Sequence, residues 1–195
     1  MSKGYIGVTS REWFTYLKEN NITQEVNFWR KNTNNFRVLE FGEPFFFLVK
    51  NDKNTKSERY VLGYGVYKRF EVLDIDKAWD KYQIGNGTSS KSEYLDRMRN
   101  LFKKNSGDIG CIILDNLKFF DKPVILSKSG IMFDNSVVSG KGINNEEVNQ
   151  ITSDIQSLFP RVFNSWEILS NKIALKTIDK SVFMHHGTGI PIGTR

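Results

Sequence analysis

The run VNFWR at residues 26–30, followed closely by FGEPFFFLV at residues 41–49, decides the fold of this chain. Both runs are rich in aromatic and β-branched side chains, which favour extended strands. A polar, basic segment lies between them. Aromatic side chains beside cations and amides can form a hydrophobic core, and they can also form a pocket that stacks a flat ring.

Outward from these runs, the sequence shows many short strands with a few helices between them. The strongest strand pattern is YVLGYGVY at residues 60–67, whose two glycines predict a bulge or a close backbone approach. Further strands are predicted at residues 5–9, 37–39, 70–73, 109–114 and 173–176. Helices are predicted from capping-box spacing at Thr9/Glu12 and Ser90/Glu93, from Asp74 as a cap, and from the amphipathic pattern of residues 145–158.

The order of these elements indicates the fold class. There is no regular alternation of strand and helix, which argues against a parallel α/β sheet. Glycines inside the strands supply the corners that a small barrel needs. We therefore predict an α+β fold, built as a small, strongly bent β-barrel with inserted helices and a C-terminal helix.

Composition narrows the function classes. The 195 residues carry a formal net charge of +6 with a pI of about 9.3, which favours a polyanionic partner such as nucleic acid. The single cysteine, Cys111, lies in an apolar run, so we expect a buried thiol in a reducing cytoplasm. The sequence has no signal-peptide pattern and no apolar run long enough to span a membrane.

Motifs for catalysis or metal binding are weak. His185 and His186 are adjacent, and neighbouring residues of a strand point to opposite faces, so we expect no metal site from them. The sequence has no phosphate-binding P-loop and no nucleophile elbow, and Gly63-Tyr64-Gly65 lacks the third glycine of a dinucleotide motif. We predict no catalytic residue and no cofactor, while a catalytic pair among the 22 carboxylates remains an alternative.

The best binding pattern is in the first aromatic run. Strand alternation sends Asn27 and Trp29 to one face and Phe28 to the other. If Phe28 is core, Asn27 and Trp29 can line a pocket, with the amide bonding to a base edge. The alternative places Trp29 in the core and Phe28 at the rim.

The predicted site has two groups of residues. The base pocket consists of Asn27, Trp29, Tyr5, Thr9 and Tyr64. The phosphate-binding cations stand beside it and on one helix face, and they are Arg30, Lys31, Arg97, Arg99, Lys103 and Lys104.

Several short motifs in order resemble a known family. They are GYIGVT (4–9), WF (13–14), VNFW (26–29), GEPFFF (42–47), GYG (63–65), AW (78–79), NG (86–87) and IGCII (109–113). Together they resemble the N-terminal region of bacterial HNH-type restriction endonucleases. That region is similar to the PUA-like superfamily, which includes the EVE, ASCH and SRA domains. The resemblance covers about residues 4–160.

The resemblance implies a compact, bent barrel that binds a modified base in DNA, flipped into an aromatic-lined pocket. In such restriction systems this domain is the sensor that directs a nuclease. The 195 residues contain no HNH motif, since His185-His186 lacks downstream partners, so we do not expect this chain to cut by itself. Residues 1–160 are predicted to be the sensor domain, and residues 161–195 an extension or the start of a following domain.

Three other functions remain open on the sequence. The same fold class also serves RNA binding. A nucleic-acid-processing enzyme with an unrecognised carboxylate site is the second alternative, and a protein-interaction module using exposed aromatics is the third. The expected partners are modified duplex DNA or RNA, together with a covalent or separate nuclease.

Overall fold

The computed structural model describes residues 4–49, 58–134 and 136–159. The chain forms two compact units, Met1–Asp154 and Ile155–Arg195. The predicted strand at residues 173–176 and the His185-His186 pair lie outside the described residues. The domain boundary at residue 160 stays a prediction.

The described residues of the first unit form six strands with helices on both sides of them. In chain order they are β1 (Gly4–Thr9), α1 (Arg11–Glu19), β2 (Val26–Arg30), β3 (Pro44–Val49), β4 (Tyr60–Asp74), α2 (Ile75–Tyr82), a 3₁₀ helix (Gln83–Asn86), α3 (Lys91–Phe102), β5 (Asp108–Ile125), β6 (Gly140–Ile143) and α4 (Asn145–Leu158), whose last residues belong to the second unit. Most predicted elements are present, and several predicted short strands merge into the long strands β4 and β5.

Three local predictions need correction. Residues 37–39 form no strand, and their Leu39 is buried instead in the core. Helix α1 is capped by Ser10, whose hydroxyl accepts from the Trp13 amide at 3.3 Å, one residue later than the predicted Thr9 cap. Strand β6 was not predicted, because its sequence GKGI has little strand character. The predicted caps Asp74 and Ser90 are confirmed.

The six strands form one sheet in the order β2-β5-β4-β3-β1-β6. Strand β1 runs parallel to β3, and the other neighbours are antiparallel. Strand β2 pairs along its whole length with the first half of β5, so that Phe28 lies opposite Ile112 and Arg30 opposite Gly110. Strand β5 thus carries the short edge strand that holds two of the predicted pocket residues, Asn27 and Trp29.

The sheet is strongly bent, as predicted. Phe28 on β2 and Phe45 on β3 have ring centroids only 4.8 Å apart, although β5 and β4 lie between their strands. Such a contact across three strand spacings requires the sheet to curl back over its concave face. The Phe28, Phe45 and Phe47 rings fill that face.

The sheet does not close into the predicted barrel, because among the described residues no ladder joins the two edge strands β2 and β6. All four residues of β6 pair with β1, and β6 is too short to extend a second ladder to β2. Helix α1 packs on the concave face of the sheet. Its Trp13 ring packs edge-on against Phe28 and Phe47, at 5.4 and 5.6 Å between centroids.

The opposite face of β2 and β5 is covered by helices α2 and α3. Trp29 and Cys111 on the strands meet Tyr94 and Met98 of α3, and all four are buried. Each large side chain removed from water in these layers stabilises the fold by roughly 1.5–3 kcal/mol. Both faces of the short strand β2 are therefore packed.

A charged network joins the turn before β2 to β4 and β5. Glu25 pairs with Lys68 and with Arg69 (3.1 Å), and Lys68 also reaches Asp115 (2.9 Å). Desolvation by burial raises the pKa of Glu25, but hydrogen bonds from Lys68 and Arg69 outweigh it and hold that pKa below its usual value. A depressed pKa in the fold contributes stability above the unfolded pKa, and this contribution is lost as the pH falls through the folded pKa.

We therefore predict that Glu25→Gln lowers stability at neutral pH and flattens the acid-induced loss between roughly pH 5 and 3. Urea unfolding at several pH values would measure this. Glu19→Gln, at an exposed position of α1, is the matched control and should follow the wild type. If Glu25→Gln and wild type lose stability in parallel on acidification, the network does not contribute.

Candidate nucleic-acid interface

The predicted alternation along β2 is present, but the face assignment is reversed. Trp29 is only 9% exposed, and its ring packs against Tyr94 and Phe102 at 6.1 and 5.9 Å. Its indole nitrogen donates to the carbonyl of Asn86 at 2.9 Å. Asn27 is completely buried, and its amide donates to the Asn86 side chain at 2.9 Å.

Asn27 and Trp29 therefore do not form the walls of an open pocket in this structure. The 3₁₀ helix and α3 cover their face, and Phe28 is the half-buried residue on the other side. The alternative that places Trp29 in the core describes what the structure shows. A direct contact of either residue with a base stays a prediction.

Two other predicted pocket residues are also buried. Tyr64 lies between Phe46 and Phe120, with ring centroids 6.2 and 6.0 Å away, and burial raises the pKa of its hydroxyl. The Thr9 hydroxyl donates to the Gly7 carbonyl at 2.9 Å. These side chains support the sheet, and their role in a base pocket is likewise still a prediction.

The structure brings the remaining pocket residue, Tyr5, together with Arg30. The Arg30 guanidinium lies over the rings of Phe36 and Phe70, at 5.6 and 5.9 Å from their centroids. The Tyr5 ring meets Phe36 edge-on at 5.1 Å. We call Tyr5, Phe28, Arg30, Phe36 and Phe70 the Arg30 cluster. All of its members except the buried Phe36 are partly exposed at the open end of the concave face.

Because Gly110 has no side chain, the residues of the Arg30 cluster can come together. Gly110 lies opposite Arg30 in the ladder, between β2 and β4. A Cβ atom at Gly110 would lie 2.4 Å from the Asn32 carbonyl, 2.8 Å from Cγ of Arg30 and 3.0 Å from the Phe70 ring. Because glycine leaves this space open, Arg30 can cross β5 and reach Phe70 on β4.

Tyr5 adds a hydroxyl to the cluster. Burial raises the pKa of Tyr5, while a hydrogen bond with the Ser139 side chain and the charge of Arg30 lower it in part. The net direction is upward, so the hydroxyl stays protonated at neutral pH. It can therefore both donate and accept a hydrogen bond.

The predicted phosphate-binding cations fall into two groups. Arg97 pairs with Glu93 and donates to the Gly87 carbonyl, and Arg99 pairs with Asp96 at 2.8 Å. Their charges are partly neutralised within α3 itself. This could have been inferred from the sequence, because the acidic residues lie three and four positions earlier.

The other cations lie at the end of the sheet that carries the Arg30 cluster. Lys104 donates to the carbonyl of Asp108 at 2.6 Å, two residues before Gly110, and the exposed Lys103 precedes it. Lys31 directly follows Arg30. Within the part of the chain that the structure describes, four predicted cations have no carboxylate partner, namely Arg30, Lys31, Lys103 and Lys104. The same is true there of the exposed Arg37.

Sequence reasoning missed Phe36 and Phe70. Phe36 lies in the loop between the aromatic runs, and Phe70 comes after the bend of β4. The available signal was the glycine in IGCII, because a glycine in a central strand indicates a close approach by neighbouring groups.

Among the described residues no cluster of three or more metal-ligating side chains occurs, and no helix is long and apolar enough to cross a bilayer.

Comparison with known proteins supports the fold. No model of a known protein family and no curated protein matches the sequence. The fold is similar to crystal structures of the ASCH protein of Zymomonas mobilis. Two point mutants align with TM-scores of 0.55 and 0.54 at 13% identity, covering 77% and 78% of this chain and 97% and 96% of theirs. The protein without a stated mutation aligns at 0.50 and 14%, over 77% and 94%.

At this level of identity the likeness shows the fold alone. It shows that the fold is similar to that of ASCH structures, the one part of the resemblance that the comparison supports. The association with HNH-type restriction endonucleases stays a prediction.

The placement of Trp29 gives a prediction on stability. Trp29→Phe leaves the buried Asn86 carbonyl without its indole donor, so we expect a loss of roughly 1–3 kcal/mol in the free energy of unfolding. Urea denaturation would measure it. Trp79→Phe is the control, because Trp79 also packs on Tyr94 but is half-exposed. Losses of equal size would argue against a special role for the Trp29 hydrogen bond.

Proposed function

We propose that this chain binds nucleic acid at the Arg30 cluster, and that it recognises a modified base in DNA as the sensor of a modification-dependent restriction system. The observation that carries the proposal is the guanidinium of Arg30, held over Phe36 and Phe70 beside cations that have no carboxylate partner among the described residues. The PUA-like architecture and the net charge of +6 support it.

Phosphate contacts provide the first part of the interaction. Arg30, Lys31 and Arg37 belong to one short segment, and Lys103 and Lys104 approach the same end of β5. Cations without protein carboxylates nearby keep their attraction for phosphate. They position the nucleic acid without selecting a sequence.

The base contacts come from the aromatic members of the cluster. The curled sheet brings Phe28 within 4.8 Å of Phe45, so its concave face has no room for a duplex. A single base flipped out of the stack can reach the open end of this face. There the partly exposed Tyr5 and Phe70 rings offer stacking surfaces, and the Tyr5 hydroxyl and the guanidinium can bond to base edges.

Cleavage is assigned to a nuclease partner, covalent or separate. This assignment follows from the resemblance to the sensor region of HNH-type restriction endonucleases. The chain then supplies recognition, and the partner supplies the reaction.

The first test is a binding titration with Arg30→Gln. We expect it to weaken binding to duplex DNA about tenfold, equivalent to about 1.4 kcal/mol, and to reduce the dependence of affinity on salt between about 50 and 200 mM. Fluorescence anisotropy would measure both. Arg99→Gln is the matched control, because Arg99 already pairs with Asp96. Equal effects of the two variants would exclude the Arg30 cluster as the site.

The second test concerns base recognition and uses Tyr5→Ala and Tyr5→Phe. Matched duplexes would carry an unmodified, methylated, hydroxymethylated or glucosylated base. We expect the wild type to prefer one modified duplex, and Tyr5→Ala to lose that preference while keeping salt-sensitive binding. Tyr5→Phe removes only the hydroxyl, so it distinguishes the contribution of the hydroxyl to the preference from that of the ring.

Three results would change the proposal. Equal wild-type affinity for all duplexes would leave only generic phosphate binding. Tighter binding of single-stranded RNA would assign the chain to RNA. Nicking of DNA by the isolated chain with added metal ion would favour the enzyme alternative.

A further inference from the structure

Asn86 lies at the centre of the hydrogen bonds that hold β2. Its side-chain amide donates to the carbonyls of Ala78 and Gln83, at 3.2 and 3.0 Å. Its side-chain oxygen accepts from Asn27, and its main-chain carbonyl accepts from Trp29, both at 2.9 Å. One completely buried residue thus connects the end of α2 to both residues of β2 that face the helices.

The bond between the two asparagines has only one useful direction. The Asn86 amide is already engaged by two carbonyls, so Asn86 must accept and Asn27 must donate. The Asn27 oxygen has no hydrogen-bond partner among the described residues. Asn27 therefore contributes through its amide, which also lies 3.4 Å from the Cys111 sulfur.

The glycines on either side of Asn86 allow the turn to approach the strand. A Cβ at Gly85 would lie 2.8 Å from the Glu25 carbonyl. Gly87 has a φ of +73°, and a Cβ there would lie 2.2 Å from the Trp13 ring. The indole of Trp13 in turn donates to the Asn27 carbonyl at 3.2 Å. The turn is thus packed closely against the segment before β2 and against α1.

Strand β2 depends on these contacts because it is an edge strand. Its only ladder among the described strands is the one with β5. The hydrogen bonds that Asn27 and Trp29 donate to Asn86 hold the face of β2 that is turned toward the helices. Arg30 directly follows Trp29, so a shift of β2 would move Arg30 away from Gly110 and from the Phe70 ring.

We infer that Asn86 is a positioning residue for the Arg30 cluster, acting through Asn27 and Trp29 to hold the Arg30 guanidinium over Phe36 and Phe70. The expected effect of Asn86 on nucleic-acid binding rests on the proposed function. Its effect on the position of the Arg30 side chain does not, since that position can be measured in the free protein alone.

The free protein provides the first test. The Arg30 side-chain N–H signal, followed by ¹⁵N NMR, reports its position because the neighbouring rings shift it. We expect Asn86→Ala and the milder Asn27→Ser to move this signal toward the value of an unstacked arginine. Phe46→Leu, a buried substitution on β3 next to Tyr64 of β4, is the control and should leave it unchanged. Asn27→Ser replaces Asn86→Ala if the latter does not fold. An unchanged signal in the folded variants would overturn the inference.

Binding of unmodified duplex DNA provides the second test, as a double-mutant cycle. Asn86→Ala or Asn27→Ser should lower affinity by about fivefold to tenfold in the wild-type background and by less than about twofold in Arg30→Gln. Equal losses in both backgrounds would show that Asn86 does not act through Arg30. If Arg30→Gln binds like wild type, the proposed function fails, and the NMR result still decides the positional role of Asn86.

Discussion

The curl of the sheet is the constraint on which the other features depend. The 4.8 Å contact between Phe28 and Phe45 joins an edge strand to a strand three positions away, and it can form only because β4 and β5 are long and strongly bent. Register irregularities in the β4–β5 ladder, such as the one between Tyr67 and Arg69, allow such bending. The curl creates a packed concave face and leaves an end at which the Arg30 cluster meets solvent.

The short strand β2 connects the curled sheet to the candidate site. Its concave side carries Phe28 and Arg30, and its other side carries Asn27 and Trp29. The first pair combines packing with a partly exposed cation, and the second pair anchors the strand to Asn86. One side of this five-residue strand thus carries residues of the proposed binding site, the other side supports them, and the two sides cannot move independently.

The sequence could predict which residues of β2 share a face, but not which face the helices cover. Alternation along β2 follows from backbone geometry, so Asn27 and Trp29 were correctly placed together. Which face the helices cover depends on packing between distant segments. The spacing in α3 predicts Leu95, Met98 and either Leu101 or Phe102 on its inward side. Met98 is buried, and it is Phe102 that packs against Trp29, whereas Leu101 is 57% exposed. The prediction that the sheet forms a barrel failed for a similar reason, because strand patterns alone do not show that aromatic side chains of α1 pack on the concave face.

Two arginines of the sheet differ in what surrounds their charge, and the difference makes the Arg30 cluster suited to a ligand. Arg69 on β4 pairs with Glu25 and Glu71, so the protein's own carboxylates offset its charge. Arg30 on β2 is held by the faces of Phe36 and Phe70 instead. Aromatic faces attract a cation without supplying a negative charge. Arg69 therefore stabilises the fold, whereas Arg30 is fixed in place with its full charge available, which a site for phosphate or a base edge requires.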